Sequence, residues 1–388
     1  MKEIKYRFSP NMPGKTIKRI KLIDRLLYTT VPKASNKKLS TQNFSKITIV
    51  QLAHIGDMIL MLPAIKVLKS ITGYHINLLV SSQNFTIASR LKYVDSVTIA
   101  DAPYFARNNK TSYLSYINQL SKITTDLIYD VRGDLRNNFF IKFFVRKKLF
   151  VGYDVGGGGA LLDVVLPFQH EGHVSGLFNP LFNYLKLPPN HLSDYWNEED
   201  MPYEEIPDLN FPSQFLVVHI GTGAQARKWP VEFFIETIEA LSKEIPVYVV
   251  GINQDLSVEQ HNIISAMPNV VPCIGKYSIL QSVYILKKCS LFLGLDSGFS
   301  HIAALLKKKV IVLFSGTVNK NVWKPFSFFE DQVLLLNKSV PCDHGTGCGK
   351  LSCEDNICMK FITPREVINQ LKIALNELKL ISDENYVE

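Results

Sequence analysis

An apolar run, Leu291-Phe292-Leu293-Gly294-Leu295, leads into Asp296-Ser297-Gly298-Phe299-Ser300-His301-Ile302-Ala303-Ala304. The pattern predicts a strand that ends in an acidic, hydroxyl-bearing turn and then opens a helix. A helix start offers unpaired N–H groups and the positive end of its dipole, which suits an anion such as a diphosphate. Gly298 removes the Cβ that would hold a ligand off. Asp296, at the strand end, can accept hydrogen bonds from sugar hydroxyls. Taken alone, the window is explained better as an ordinary N-cap turn, because Asp and Ser cap helices routinely.

A second window repeats the pattern. Ile47-Thr48-Ile49-Val50-Gln51-Leu52 reads as a buried strand, Ala53-His54-Ile55-Gly56-Asp57 as a turn, and residues 58–69 as a helix carrying Pro63. The two aspartates lie about 240 residues apart, which suggests two similar α/β halves facing one cleft. Between them, His219-Ile220-Gly221-Thr222-Gly223 is followed by Arg227-Lys228-Trp229-Pro230. A hydroxyl and a cation after a strand end can neutralise charge building on a leaving diphosphate.

In order and spacing these windows resemble glycosyltransferase family 9, the ADP-heptose:lipopolysaccharide heptosyltransferases. Gly56-Asp57 with Leu62-Pro63-Ala64 is similar to the family's first turn and helix. Thr222 with Arg227-Lys228-Trp229-Pro230 is similar to its central segment. Asp296 to Ala304, followed by Val310-Ile311-Val312-Leu313-Phe314-Ser315-Gly316-Thr317, is similar to its donor motif. The resemblance spans roughly residues 45–375. It implies an α/β protein of the GT-B type, two Rossmann-like domains whose parallel sheets face an interdomain cleft. It implies inverting transfer of heptose from ADP-L-glycero-D-manno-heptose to the lipopolysaccharide inner core, with no cofactor or metal required for catalysis. On this reading Asp57 is the general base and Arg227 and Lys228 are the catalytic cations. Thr222, Gly223, Asp296, Ser297, Gly298 and His301 then bind the donor.

The chain departs from the family at one of these positions. Lys usually stands two residues before Trp-Pro; here it is Arg227, and Lys228 follows. Arginine binds phosphate bidentately and stays charged, so charge stabilisation survives the exchange, and the sequence leaves open which cation performs it. The nucleotide base is expected near Gly251-Ile252-Asn253-Gln254-Asp255, where no residue is recognisable as an adenine reader. Two alternatives stand beside the main reading. One is the same fold with another nucleotide sugar, or with a protein or capsule acceptor. The other is a non-catalytic sugar-nucleotide-binding or membrane-associated scaffolding subunit, against which the intact Asp57, Thr222 and Asp296 argue.

Cys342, Cys348, Cys353 and Cys358 fall close together among Gly345, Gly347 and Gly349. Four thiolates in a loop-rich stretch can hold structural zinc or iron tetrahedrally. Their spacing is not that of a zinc knuckle, and plain loop thiols explain them slightly better. Cys273 and Cys289 read as core residues.

With 388 residues, 46% of them hydrophobic, the chain can bury two cores. It carries no apolar run of membrane-spanning length and no secretory h-region, so a cytoplasmic protein is expected. The net charge of +8 is uneven: residues 1–46 hold twelve Lys/Arg against Glu3 and Asp24, leaving −2 over the rest. Ile17, Ile20, Ile23 and Leu26/Leu27 recur at helical spacing among Lys15, Lys18, Arg19, Lys21 and Arg25. Such a basic amphipathic helix either lies on the anionic inner-membrane surface or packs on the protein body. A nucleic-acid partner is not expected, because the body is slightly acidic and has no stripe of basic and aromatic residues.

The elements that must position these residues alternate as strand and helix, which predicts parallel sheets covered on both faces. Strands are expected at 47–52, 76–80, 97–100, 126–131, 215–220, 246–251, 270–273, 291–295 and 310–314. Helices are expected at 231–243, 256–266, 279–288, 299–306 and 364–378. Gly156-Gly157-Gly158-Gly159 is expected to be a mobile loop. The domain reading is a basic extension at 1–45, an acceptor domain at 46–186, a Pro- and acid-rich linker at 187–212 and a donor domain at 213–388. The final helix is free to return to the first domain.

Overall fold

A computed structural model describes residues 6–8, 12–31, 44–105, 110–188, 191–207, 209–342 and 347–384. The chain divides into two compact units, Met1–Trp196 and Asn197–Glu388, with the division inside the segment read as a linker. The basic residues Lys2, Lys5, Lys33, Lys37 and Lys38 of the extension lie outside the described residues.

Unit 1 runs α1 (Gly14–Thr30), β1 (Lys46–Gln51), α2 (Ile55–Ile59), α3 (Leu62–Thr72), β2 (His75–Val80), α4 (Ser82–Ala88), β3 (Ser96–Ile99), α5 (Tyr113–Ser121), β4 (Thr124–Asp130), α6 (Leu135–Phe144), β5 (Arg146–Gly152), β6 (Val164–Val165) and α7 (Asn179–Tyr184). Unit 2 runs β7 (Leu216–His219), α8 (Val231–Ser242), β8 (Val247–Val250), α9 (Val258–Ser265), β9 (Val270–Pro272), α10 (Ile279–Lys288), β10 (Leu291–Leu295), α11 (Gly298–Leu305), β11 (Lys309–Leu313), α12 (Lys320–Trp323), β12 (Val333–Leu336), α13 (Ile357–Lys360) and α14 (Pro364–Glu384).

The two sheets share one topology. Unit 1 orders its strands β3-β2-β1-β4-β5-β6, and unit 2 orders them β12-β11-β10-β7-β8-β9, all parallel. Each is a doubly wound Rossmann sheet, in which the strand order reverses between its first and fourth strands. Ligands of such sheets bind beyond the carboxyl ends of the strands at that reversal. The pairs that matter are β1 with β4, where Val50 is opposite Asp130, and β7 with β10, where His219 is opposite Gly294. The central strands are buried on both faces, as continuous Val/Ile/Leu runs require. The final helix α14 packs on α8, with Val367, Leu371, Ala374 and Leu375 in the core of unit 2.

Three expectations change. The helix expected over 58–69 is two helices, broken at Leu60-Met61, because Pro63 fits the first turn of a new helix better than the interior of an old one. Asp57 consequently sits in the first turn of α2. The glycine run 156–159 is buried, not a free loop. Gly157 and Gly158 adopt φ of 88° and 80°, and a Cβ on Gly156 or Gly159 would collide with the Gly133 carbonyl or the Tyr28 side chain. Glycine is needed there because α1, through Ile20 and Tyr28, and the turn and helix at 133–138 both lie directly on this segment. Finally, α1 packs through Ile20 and Asp24. The buried Asp24 carboxylate accepts from the Gly158 N–H at 2.7 Å and the Tyr6 hydroxyl at 2.8 Å. Ile17 and Leu27 are half-buried, whereas Leu22, Ile23 and Leu26 are exposed, so the apolar residues of α1 are divided between two faces.

Candidate active site

In unit 2 the sequence-predicted donor residues meet at the strand reversal. Thr222 and Arg227 follow β7, and Asp296 follows β10. The Thr222 hydroxyl donates to the Asp296 carbonyl at 3.5 Å. Arg227 Nη1 stands 3.2 Å from Asp296 Oδ2, with the carboxylate almost fully buried. Lys228 is exposed and turns its carbonyl to the side-chain amide of Asn356 at 2.7 Å. Of the two cations, Arg227 is therefore the one at the donor motif. Gly223 is exposed, and a Cβ there would meet nothing.

The capping explanation fails for Ser297. Ser297 is the N-cap residue of α11 but forms no side-chain cap, and its hydroxyl lies 3.4 Å from His219 Nδ1. The first turn of α11 starts at Gly298, and its N–H groups do not receive the Ser297 hydroxyl. His301 is buried one turn into the same helix. His219 stacks on Phe299 with ring centroids 4.4 Å apart, and burial lowers its pKa to about 4. A neutral imidazole therefore stands beside the proposed diphosphate position. The sequence windows included His219 without giving it a role. Near the expected base pocket, Asp255 turns back and accepts from the Ile252 N–H at 2.8 Å.

The loop carrying Arg227 is held from outside the sheet. Trp229 is buried between Phe233 and Phe234, and its indole N–H donates to the Ile362 carbonyl at 2.8 Å. The Ala226 N–H donates to the Leu351 carbonyl, and the Cys348 N–H donates to the Gly316 carbonyl. The cysteine segment thus braces two donor loops. Cys358 is buried, which raises its thiol pKa, and the neighbouring Cys342 and Cys348 add to the rise. Cys342 is exposed and Cys353 half-buried. Among the described residues no group of three or more His, Cys, Asp or Glu side chains is arranged to hold a metal ion. The quartet does not fit a ligand set as it stands, and no step of the chemistry is assigned to a metal.

In unit 1 Asp57 lies beyond β1, again at the strand reversal. Arg132 Nη1 stands 3.9 Å from its carboxylate. Arg132 follows β4 in the turn Asp130-Val131-Arg132-Gly133-Asp134. Sequence reasoning missed this turn, although it repeats the pattern of strand, acid, glycine and helix used elsewhere. Gly133 is fixed there at φ 65°, and a Cβ would run into the backbone of Tyr153.

Asp130 is fully buried. Its Oδ1 accepts from the Arg132 N–H at 2.9 Å, and burial outweighs that bond, pushing the carboxyl up to about 6 from 3.8. An acid whose pKa is raised on folding holds its proton more tightly when folded. Its stabilising contribution is complete below pH 3.8 and is lost as pH rises through 6. The shift corresponds to about 3 kcal/mol. Urea unfolding of wild type and Asp130→Asn from pH 4 to 7 should therefore show wild type losing stability against the variant by up to about that amount. A pH-independent difference would refute the assignment.

The comparisons with known proteins agree with this geometry. The profile of glycosyltransferase family 9 (heptosyltransferase) matches residues 114–348. No curated protein sequence matches the chain. Among solved structures, the glycosyl transferase family 9 protein from Veillonella parvula DSM 2008 superposes with TM-score 0.66 at 16% identity, covering 88% of this chain and 99% of that one. The E. coli ADP-heptose lps heptosyltransferase II gives TM-score 0.63 at 16% identity, over 86% and 99%. E. coli heptosyltransferase WaaC with ADP-2-deoxy-2-fluoro heptose gives 0.60 at 15%, over 84% and 99%. At such identities these structures speak for the fold, which is that of the GT-B glycosyltransferases. The family match covers more than half of the sequence, and with it the chain belongs to glycosyltransferase family 9, the heptosyltransferase family, and is a transferase.

Proposed function

We propose that the protein transfers heptose from ADP-heptose to the inner core of lipopolysaccharide, inverting the anomeric centre. The observation that carries this reading is the assembly of Thr222, Arg227, Asp296 and the start of α11, where Ser297 forms no side-chain cap, at one strand reversal. That assembly suits a nucleotide diphosphate sugar. ADP-heptose is chosen because solved structures of similar fold are described with ADP-2-deoxy-2-fluoro heptose or with ADP-D-beta-D-heptose. Asp57 takes the proton of the acceptor hydroxyl as that oxygen attacks the anomeric carbon. The bond from that carbon to the diphosphate oxygen breaks, and ADP leaves with the electron pair. Arg227 turns from Asp296 to the diphosphate, while Asp296 receives sugar hydroxyls. Turnover of a panel of nucleotide sugars on lipid-free core oligosaccharide tests the reading. A clear preference for another donor would replace ADP-heptose.

We further propose that α1 docks the enzyme on the anionic membrane that carries its acceptor. No helix among the described residues is long and apolar enough to cross a membrane. Leu22, Ile23 and Leu26 are exposed on α1, flanked by exposed Lys18, Arg19, Lys21 and Arg25. Each basic group near such a surface contributes about 1 kcal/mol. Deleting the extension is a poor test, because it would also strip α1 from the glycine segment. Leu22→Glu with Leu26→Glu leaves the buried face intact. The pair should lower binding to phosphatidylserine vesicles at least ~10-fold, and wild-type binding should weaken as salt rises. Unchanged binding in sedimentation would remove α1 from membrane contact.

A further inference from the structure

The polarity of α6 is inverted. Asn137 and Asn138 are fully buried on it, while Phe139 and Phe143 are 43% and 61% exposed. The asparagines are held inward by specific partners: Asn138 donates to the Gly157 carbonyl at 3.1 Å, and Asn137 accepts from the Tyr104 hydroxyl. An ordinary surface helix turns its apolar residues to the core and its polar ones to water. Here two phenylalanines stand one turn apart on the outer face, with ring centroids 4.9 Å apart. The row of rings continues from Phe139 through the half-buried Phe140 to Tyr113 at the start of α5, at 5.6 Å and 5.8 Å. Tyr113 is 53% exposed and the adjoining Leu114 79%. Single exposed apolar residues are ordinary, but a contiguous row marks a surface that meets something apolar.

The charge around the rings selects that partner. Neither α5 nor α6 contains an acidic residue. Lys110 precedes α5, Lys122 follows it and Arg146 follows α6, and all three are exposed. The acids nearest in sequence, Asp126, Asp134 and Asp163, are paired with Lys148, Arg136 and Lys142. The asymmetry extends to the whole unit. Residues 1–196 hold 26 Lys/Arg against 12 Asp/Glu, a net charge of +14, whereas residues 197–388 carry −6. Rings with no acid among them and cations at either end match the interface of an anionic bilayer. Aromatic rings settle there at headgroup level, and the surface potential draws each cation. A second copy of this chain would bring the same cations against themselves, which disfavours self-association at this face.

We propose that the outer face of α6, with the start of α5, is a membrane-contact surface whose rings enter the headgroup region of an anionic bilayer. This rests on the reading that unit 1 meets the membrane carrying the acceptor, and it adds a second contact apart from α1. Helices α5 and α6 begin beyond the carboxyl ends of β3 and β4, which is the end of the sheet where Asp57 follows β1. A unit seated on the start of these helices holds that end near the membrane plane, within reach of a lipid-anchored acceptor.

The test uses the full chain with phosphatidylglycerol vesicles and, as the control, phosphatidylcholine vesicles. Phe143→Trp places a reporter in the row. Its emission, taken as the difference from wild type, should shift to the blue with phosphatidylglycerol and be quenched by brominated acyl chains. Phe139→Ser with Phe143→Ser should weaken sedimentation with these vesicles at least ~10-fold. The same pair should leave the circular dichroism spectrum unchanged and turnover on lipid-free core oligosaccharide within ~3-fold of wild type. Leu114→Glu, at the most exposed position of the row, should weaken sedimentation too, and it leaves the packing of Phe140 untouched. An unshifted, unquenched Phe143→Trp in protein that still sediments with the vesicles would overturn the α6 surface and leave α1 as the contact. Failure of wild type to sediment with phosphatidylglycerol vesicles would overturn both membrane readings together. Wild type that is dimeric by analytical ultracentrifugation, and monomeric with both serines, would reassign the face to self-association.

Discussion

Asp57→Asn is expected to lower turnover ~10²–10⁴-fold, the usual cost of removing a general base. The substitution keeps size and polarity but leaves no group able to take the acceptor proton. Little else should change. Asp57 lies in the first turn of α2 and has Arg132 at 3.9 Å as a long-range partner. Pairs of that length and exposure contribute up to about 1 kcal/mol to stability, so the fold should survive. The donor residues belong to unit 2, so calorimetric affinity for the nucleotide sugar should stay within ~3-fold of wild type. Loss of kcat with intact donor binding is thus the signature of the base. Turnover within a few-fold of wild type would remove Asp57 from the mechanism. A parallel loss of donor affinity would show that it acts as a ligand.

Much of this was legible in the sequence, for definite reasons. Strands buried on both faces appear as uninterrupted runs such as Leu291–Leu295 and Lys309–Leu313, and the turns after them carry residues that interior strands do not tolerate. Boundaries set by local chemistry were accurate: Ser278 and Gln281 form a capping box at the start of α10. Elements set by tertiary contact were not. Strand β5 opens with Arg146-Lys147-Lys148, which reads as surface; its core-forming residues are Leu149 to Gly152. The glycine run looked mobile because nothing local shows that a distant helix covers it through Asp24. Arg132 was missed for the same reason: it stands 3.9 Å from Asp57, and no spacing along the chain encodes that meeting. Lys228 shows the limit at the donor site, since two adjacent cations are alike on paper and Trp229, anchored to Ile362, decides which one faces Asp296.

Arg227→Ala is expected to lower kcat ~10²–10³-fold on ADP-heptose, the typical loss when a preorganised partner of developing negative charge is removed. In the unliganded site Arg227 neutralises the buried Asp296 carboxylate at 3.2 Å. Its removal therefore has a second consequence. Asp296 is left as a buried charge without its closest cation, which destabilises the site before any ligand arrives. Asp296→Ala separates the two effects. It frees Arg227 for the diphosphate but removes the acceptor of sugar hydroxyls, so nucleotide-sugar affinity should fall while affinity for ADP itself holds or improves. The variants thus predict opposite orders of preference. Arg227→Ala should lose ADP and ADP-sugar binding alike, and Asp296→Ala should lose the sugar's share. Lys228→Ala, at an exposed position, should cost less than ~10-fold. Calorimetry with ADP and with the nucleotide sugar reads all three. Equal loss of both ligands in Asp296→Ala would place Asp296 on the nucleotide, and a Lys228 effect as large as that of Arg227 would return the diphosphate contact to both cations.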